Sequence, residues 1–413
     1  MESRADLSIA PLTITEADRS RPDAAFVERM RSMFPVEKET DAMFTRKMLR
    51  RTSSAYAPVD LAKMSGYLTG FLKHFVEGPF QISGQRWFAG GASKIQMGFT
   101  LEWNAPGRGP SVDRMVIRME PTESINSTSR RREHQLLKAF AGVVPVPQTF
   151  WVDADAQWFP EPAVIYAFCD GITKPRAATS GQVSGIGTNF GSQLRQKLGA
   201  QFVDRLARIH SFDFSRADLS AFELPALGTT ESASKQLGRA RRTWEEDRID
   251  DMPLLEVAAN WLERNLPTLD VVSVVHGDYR SGNFLYDEHS LEFTGILDWE
   301  RGYLGDRHRD LAWTTHQAFG HLDEDGRTFL VCGLVPIDEF LETYQRLSGL
   351  TVDPVRLRYY RVLASYQIVI SATASVCRVV KLARSHQDIL IACAEPVGYL
   401  AAEQLRQMLE EVI

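Results

Sequence analysis

Apolar positions along this chain follow two different periods, and the difference separates a strand-rich stretch from a helix-rich one. Met97-Gly98-Phe99-Thr100-Leu101-Glu102-Trp103 alternates as a strand does, and Met115-Val116-Ile117-Arg118-Met119 predicts the next one. Glu133 opens an amphipathic helix with Leu136, Leu137 and Phe140 on one side. Val144-Pro145-Val146-Pro147 is a stiff, extended entry to a strand over Gln148–Val152, and Ala163–Phe168 predicts a further apolar strand. Beyond this point the steps lengthen. Leu194, Leu198, Phe202, Leu206 and Ile209 recur every three or four residues and predict a helix ending at His210-Ser211. Leu254, Leu255, Ala258, Trp261 and Leu262 form a second stripe, opened by Pro253 and closed before Pro267. Residues 1–80 stand apart: Arg46, Lys47, Arg50 and Arg51 beside Met43, Phe44, Met48 and Leu49 predict a basic amphipathic helix, and Leu68, Leu72 and Phe75 predict another over Leu61–Phe75.

Three short runs between the long helices carry the candidate chemistry. Val271–Val275 is β-branched and bounded by Pro267 and Gly277; Phe284–Tyr286 and Phe293–Leu297 flank the polar turn Asp287-Glu288-His289-Ser290. His276-Gly277-Asp278-Tyr279-Arg280-Ser281-Gly282-Asn283 joins the first run to the second, and Asp298 follows the third. A hairpin returns the chain to its starting level, so Asp298 is expected near Asn283, with Asp278 in a loop that Gly277 and Gly282 let bend sharply. Phosphoryl transfer from a metal-bound nucleotide needs such a set. One carboxylate orients the attacking hydroxyl and accepts its proton, and two oxygen ligands hold Mg²⁺. Core strands with acidic, solvated turns are the competing reading of the same residues.

The segment His276–Asp310 resembles the catalytic segment of the aminoglycoside phosphotransferase family, a branch of the protein-kinase-like fold. It is most similar to the branch that includes the kinase-like domains found ahead of some acyl-CoA dehydrogenases. The resemblance extends over roughly residues 80 to 400, dense in that segment and thin elsewhere. It implies an α+β, bilobal protein-kinase-like fold, with a small antiparallel-sheet N-lobe, a mostly helical C-lobe and an N-terminal helical extension. The corresponding divisions are 1–80 for the extension, 81–170 for the nucleotide-binding lobe and hinge, and 171–413 for the catalytic and acceptor-binding lobe. It also implies ATP and Mg²⁺, with Asp278 as catalytic base and Asn283 and Asp298 as metal ligands.

Upstream positions suit a nucleotide site. Phe88-Ala89-Gly90-Gly91-Ala92-Ser93-Lys94 is a glycine-containing turn whose backbone N–H groups can cradle phosphate, and Lys94 is a candidate mobile cation. In the kinase-like fold a cation on a strand pairs with a glutamate on the following helix and contacts the α- and β-phosphates. Arg118 and Glu133 fall where that pair belongs; the better-known pattern has lysine, but arginine binds phosphate through its planar fork. By the same resemblance the backbone near Phe168 and Cys169 forms the hinge that binds the adenine edge. Asp310 is expected to cap a helix or hold the loop through backbone hydrogen bonds. Glu300 has two readings, an approach to the metal or a structural ion pair.

The setting is narrowed by composition. A 413-residue chain with 44% hydrophobic and 24% charged residues has the makings of a folded enzyme with a large core. A formal charge of -6 gives no support for a nucleic-acid surface. Cys169, Cys332, Cys377 and Cys393 lie far apart, which suits a reducing compartment. Met1–Asp6 lacks the basic start and apolar core of a signal peptide. Val362–Cys377 falls short of the ~20 apolar residues of a membrane span. These features give the expectation of a cytoplasmic enzyme. Its partner is expected to be a small-molecule hydroxyl acceptor, with residues 1–80 padding the small lobe, forming a homodimer contact, covering the substrate or offering a site to an acidic group.

The acceptor itself is open. Glu245-Glu246-Asp247-Arg248-Ile249-Asp250-Asp251 is a candidate acidic wall for an aminoglycoside. Arg130-Arg131-Arg132 and the group Arg239, Arg241 and Arg242 are candidates for the phosphates of a hydroxyacyl-CoA, or else solvated helix faces. A metabolic alcohol ranks above an aminoglycoside. A catalytically silent nucleotide-binding scaffold, a protein kinase and a hydrolytic metal centre using His276, Asp278 and Asp298 remain as alternatives.

Overall fold

The computed structural model describes residues 14–53, 59–88, 94–175, 185–383, 392 and 395–413. Three short helices come first, α1 (Glu16–Ser20), α2 (Ala24–Met33) and α3 (Lys38–Arg50). Thr15 and Asp23 start α1 and α2 by accepting the N–H of Asp18 and Phe26, satisfying donors that a helix cannot pair internally. Helix α4 (Leu61–Phe75) follows, N-capped by Asp60.

The next 90 or so positions build one antiparallel sheet from β1 (Gln81–Trp87), β2 (Ile95–Ala105), β3 (Gly109–Met119), β4 (Thr149–Asp153) and β5 (Ala163–Ala167), in the order β1-β2-β3-β5-β4. Its two faces follow from the period of two along each strand. Met97, Phe99 and Leu101 of β2, Met115, Ile117 and Met119 of β3, and Ile165 of β5 bury against Met64, Leu68, Phe71 and Leu72 of α4. Arg118, between Ile117 and Met119, therefore emerges on the opposite face. That face receives α5 (Arg130–Phe140), which begins three residues before Glu133 because the Ser129 hydroxyl caps it by accepting the N–H of Arg132.

The second lobe is helical: α6 (Gly191–His210), α7 (Glu231–Asp247), α8 (Pro253–Arg264), α9 (His308–Thr314), α10 (Ile337–Ser348), α11 (Pro354–Ile370), α12 (Val376–Leu382) and α13 (Glu395–Glu410). Leu198, Phe202 and Leu206 of α6, Leu255, Ala258 and Leu262 of α8, and Leu363 of α11 share one core with Leu136, Leu137 and Phe140 of α5. Two small ladders sit on it: β6 (Ser273–Val275) with β9 (Tyr303–Gly305), and the hairpin of β7 (Phe284–Tyr286) and β8 (Phe293–Ile296). A five-stranded antiparallel sheet joined to a helical lobe is the α+β, bilobal arrangement expected. A π-helical turn, Ser371–Ser375, joins α11 to α12. The resulting Pro354–Leu382 helix is long and apolar enough to cross a membrane by length and composition alone, but 83% of its apolar window is buried inside the protein, which makes it a core helix.

The basic helix α3 does not present its charges to an external acid. Lys47 Nζ lies 2.8 Å from Asp247, and Arg51 reaches both Glu123 and Asp247 at 2.6 Å, all of them buried. Burial alone would push the Asp247 carboxyl up; Lys47 and Arg51 outweigh it and hold the group well below the usual range. Glu123 lies between β3 and α5 and Asp247 ends α7, so α3 is tied by charge to both lobes. Helix α4 is the part of the first 80 residues that packs on the small sheet.

Candidate active site

Strand β6 delivers His276 to the cleft, and the loop after it is held from below by Asp310. The Asp310 carboxylate accepts the N–H of His276 at 2.6 Å and of Gly277 at 2.8 Å, and also meets His210 Nε2 at 3.1 Å. Asp310 thus holds the loop rather than taking part in chemistry, one of the two roles expected for it. Gly277 sits at φ +83°, and a Cβ there would lie 2.5 Å from the Arg301 carbonyl oxygen, so the turn admits only glycine. His276 then links this loop to the next. Its Nδ1 accepts the N–H of Asp278 at 3.2 Å, which fixes the proton on Nε2, and Nε2 donates to the Leu297 carbonyl at 3.0 Å. Burial pushes its pKa down, so the ring is neutral. With both ring nitrogens occupied, His276 is not available as a metal ligand, and no cluster of three or more His, Cys, Asp or Glu suited to an ion occurs among the described residues. The hydrolytic metal centre loses its histidine.

Asp278 is anchored at both of its carboxylate oxygens. Trp313 Nε1 donates to its Oδ1 at 2.6 Å and Arg280 Nε donates to the same oxygen at 2.9 Å. Asn283 Nδ2 donates to Oδ2 at 2.8 Å and to the Asp278 carbonyl at 2.9 Å. With its amide nitrogen used in this way, Asn283 has its side-chain oxygen left as an acceptor. The N–H of Leu297 donates to the Asn283 carbonyl at 2.7 Å, which sets Asp298 beside Asn283, as the hairpin predicted. Asp298 adopts φ +61°, unusual for a residue with a Cβ, and its side chain is 37% exposed.

Arg118 joins the two lobes at this point. Its guanidinium lies 2.5 Å from Glu133 on α5, 2.6 Å from Asp298 and 2.9 Å from Glu300. Glu300 also meets Arg130 at 3.1 Å and Lys94 at 3.6 Å. Burial would raise Glu300, but Arg118, Lys94 and Arg130 outweigh it and hold the carboxyl well below its usual range. Glu300 is therefore the structural ion pair. Lys94 departs from expectation. Its buried ammonium is fixed by Asn126 O at 3.0 Å, Ser124 Oγ at 3.2 Å and Glu120 at 3.1 Å, so it is not a mobile cation over a phosphate. Four internal oxygens outcompete solvent for it. Gly90, Gly91 and Ser93 lie outside the described residues.

The hinge expected at Phe168 and Cys169 leaves β5 and runs toward the hairpin. Phe168 N–H is used by the Arg114 carbonyl at 2.8 Å, Gly171 takes φ +140°, and Ile172 pairs with Tyr286 of β7. Thr294 Oγ1 donates to the Asp170 carbonyl at 2.5 Å. The segment thus crosses directly above the hairpin whose two ends carry Asn283 and Asp298. Burial pushes the Cys169 thiol up to about 11, leaving it neutral. Trp313 and Arg280 are the site residues that sequence reasoning missed as such. Arg280 had a local signal, two residues from Asp278. Trp313 had none, because it lies on α9, 35 residues downstream.

A glycine-bent loop, a neighbouring asparagine and a second aspartate face an arginine of the small sheet that pairs with a glutamate of α5, an arrangement that suits a kinase-like phosphotransferase. The chain belongs to the phosphotransferase enzyme family known as APH, whose model matches residues 106–364. It is similar to acyl-CoA dehydrogenase family member 10 of Mus musculus, 25% identical over 207 residues, which cover 48% of this chain and 18% of that protein. Over 277 residues it is 25% identical to the probable acyl-CoA dehydrogenase IBR3 of Arabidopsis thaliana, covering 62% of this chain and 32% of the relative. The chain thus matches less than a third of the length of these two proteins. An aminoglycoside 3'-phosphotransferase of Streptomyces fradiae is 30% identical over 138 residues, covering 32% of this chain and 48% of that one. Among solved structures, a protein assigned as an aminoglycoside phosphotransferase from Ralstonia eutropha superposes with a TM-score of 0.57 at 20% identity, covering 83% of this chain and 98% of its own. Choline kinase LicA from Streptococcus pneumoniae gives 0.52 at 12% identity, covering 84% and 99%. These likenesses establish the fold.

Proposed function

We propose that the chain transfers the γ-phosphoryl group of ATP to a hydroxyl of a small metabolic alcohol. The observation that carries this reading is the convergence of Asp278, Asn283 and Asp298, linked by the 2.8 Å Asn283–Asp278 bond and by the backbone bond from Leu297 to Asn283. The donor set fits Mg²⁺: a side-chain amide oxygen with no donor among the described residues and a partly exposed carboxylate are hard oxygen ligands. Asn283 and Asp298 would hold the ion, which when bound neutralises charge on the nucleotide phosphates. Asp278 orients the acceptor hydroxyl and takes its proton at a carboxylate oxygen, while Trp313, Arg280 and Asn283 fix the direction of that carboxylate. Arg118, braced by Glu133, supplies a fixed positive charge toward the α- and β-phosphates. The Phe168 carbonyl and the backbone of Cys169 receive the adenine edge, since the Phe168 N–H is taken by Arg114. Most of the rate enhancement in such a site is positioning and electrostatic stabilisation.

For the acceptor, an aminoglycoside is disfavoured by the fate of the acidic stretch near residue 247. Glu245 pairs with Arg19 and Arg248, Glu246 with Arg242, Asp247 with Lys47 and Arg51, and Asp251 with Arg248. Most of its charge is neutralised within the protein and little is left for a polycation. A hydroxyacyl-CoA is the candidate that the names of the acyl-CoA dehydrogenase relatives suggest. The test is an acceptor screen read by ADP release and by the mass of the phosphorylated product. Asp278→Asn is expected to lower kcat by orders of magnitude while nucleotide still binds, and Asp298→Ala to weaken Mg²⁺-dependent nucleotide binding itself. Near-normal turnover in either variant would refute the assigned roles, and nucleotide binding without transfer to any acceptor would favour a silent scaffold.

A further inference from the structure

A cavity of about 510 Å³ opens where the end of α9 meets the start of α10, with α11 and α13 on its other sides. The short strands β10 (His321–Leu322) and β11 (Phe329–Val331) complete its wall. Sites for small organic molecules measure roughly 300–1,000 Å³, so the cavity is of that size. None of Arg118, Asp278, Asn283 and Asp298 lines it. The segment that does is continuous with the support of the catalytic loop. Thr315 and His316 directly follow α9, which carries Trp313, and the Phe319 ring lies 5.1 Å from that of Trp313 and 5.9 Å from that of His316.

The lining is of two kinds. Leu322, Phe329, Ile337 and Met408 give an apolar side, and Arg361 of α11 gives a cation; no Asp or Glu is among the described residues that line the cavity. Its other polar side chains are already bonded within the protein. Thr315 Oγ1 donates to the Leu311 carbonyl at 2.7 Å, and His316 Nε2 meets Ser365 Oγ at 3.0 Å. Gln317 Oε1 accepts from Gln404 Nε2 at 3.2 Å, and His321 Nδ1 donates to the Leu322 carbonyl at 2.7 Å. Arg361 differs. It is half-buried, yet it makes no hydrogen bond and no ion pair among the described residues, whereas Arg356 on the same helix meets Asp270 and Asp353. Burial lowers its pKa with no carboxylate opposing the effect, and arginine keeps its proton at neutral pH even so. The cavity therefore presents a fixed positive charge beside an apolar wall, without an acidic side chain to offset it.

Such a lining recognises a molecule with one negative charge at one end and a hydrocarbon body at the other. A carboxylate matches the planar guanidinium fork with two parallel hydrogen bonds and carries a single charge. A phosphate monoester carries nearly two, and one guanidinium leaves part of that unmatched. We propose that this cavity binds a small monocarboxylic acid, its carboxylate on Arg361 and its apolar body against Phe329, Ile337 and Met408. The site is separate from the residues assigned to nucleotide and metal, and it adjoins the segment that holds Trp313 against Asp278.

The full chain, without nucleotide, is titrated by calorimetry with hexanoate, with hexanamide as its uncharged counterpart, with acetate and with hexyl phosphate. Hexanoate is expected to bind, and hexanamide and acetate each to bind about tenfold more weakly or less. Arg361→Gln should weaken hexanoate binding about tenfold or more, the loss expected for a charged hydrogen bond. Ile337→Asp sets a like charge in the wall at a helix start, where an acidic residue is tolerated, and should do the same. Arg358→Gln, which removes an exposed arginine of the same helix, should leave binding unchanged. Three results overturn the proposal: hexanoate binding no more tightly than hexanamide, unchanged hexanoate affinity in Arg361→Gln or Ile337→Asp, or hexyl phosphate binding more tightly than hexanoate. Because no nucleotide is present, failure of the kinase reading leaves these outcomes unaltered.

Discussion

Trp313→Phe tests whether Asp278 is tuned by the helix beneath it. The substitution keeps an aromatic ring for Arg301, Arg309 and the neighbouring Phe319, whose ring centre is 5.1 Å away, but removes the N–H that reaches Asp278 at 2.6 Å. A hydrogen bond to a charged group contributes about 1.5–3 kcal/mol. Lost from the transition state, that energy is about a tenfold or greater fall in rate. Arg280 remains on the same oxygen at 2.9 Å, which argues for the lower end. The assay is ADP release with a turned-over acceptor at neutral pH. There kcat should fall about tenfold as the carboxylate loses its fixed direction. Nucleotide affinity should be unchanged. An unchanged kcat would refute the role given to Trp313.

Other consequences are open to simpler measurements. Asp310→Ala leaves the buried N–H groups of His276 and Gly277 without an acceptor; at about 1–3 kcal/mol each, stability in urea should fall by roughly 2–6 kcal/mol, and a loss below 1 kcal/mol would contradict the bracing role. Asp247→Ala strands Lys47 and Arg51 in the interior and should cost about 3–5 kcal/mol, whereas a neutral outcome would mean the network is not holding α3 in place. His134 and His316 are both pushed down to about 4, chiefly by burial. Because the unfolded chain takes up protons near 6.5 and the folded chain does not, their contribution is full above pH 6.5 and lost as pH falls toward 4, by up to about 1.4 kcal/mol per unit for each histidine. Urea unfolding between pH 7 and 4.5 should show that slope, and His316→Gln should flatten it.

Much of this protein is written in local pattern. The alternation of Met97 to Trp103, the three-to-four spacing of Leu194 to Ile209, and the polar turn between Phe284–Tyr286 and Phe293–Ile296 are properties of neighbours in sequence, and the structure forms each element within three residues of its expected place. The hairpin also made the approach of Asp298 to Asn283 legible, because a two-stranded return fixes both ends. What chain-local pattern does not contain is the identity of long-range partners. Lys94 and Arg301 are both cations in polar surroundings when read in sequence. Only the packing of the β3–α5 connection against Glu300 gives Lys94 internal oxygens and removes it from solvent. Only the placement of α9 beside the catalytic loop sets Arg301 and Arg309 against the ring of Trp313. Charge is set by residue type and so belongs to the sequence; whether a charge is neutralised depends on which distant segments fold against it, and that is settled by tertiary structure.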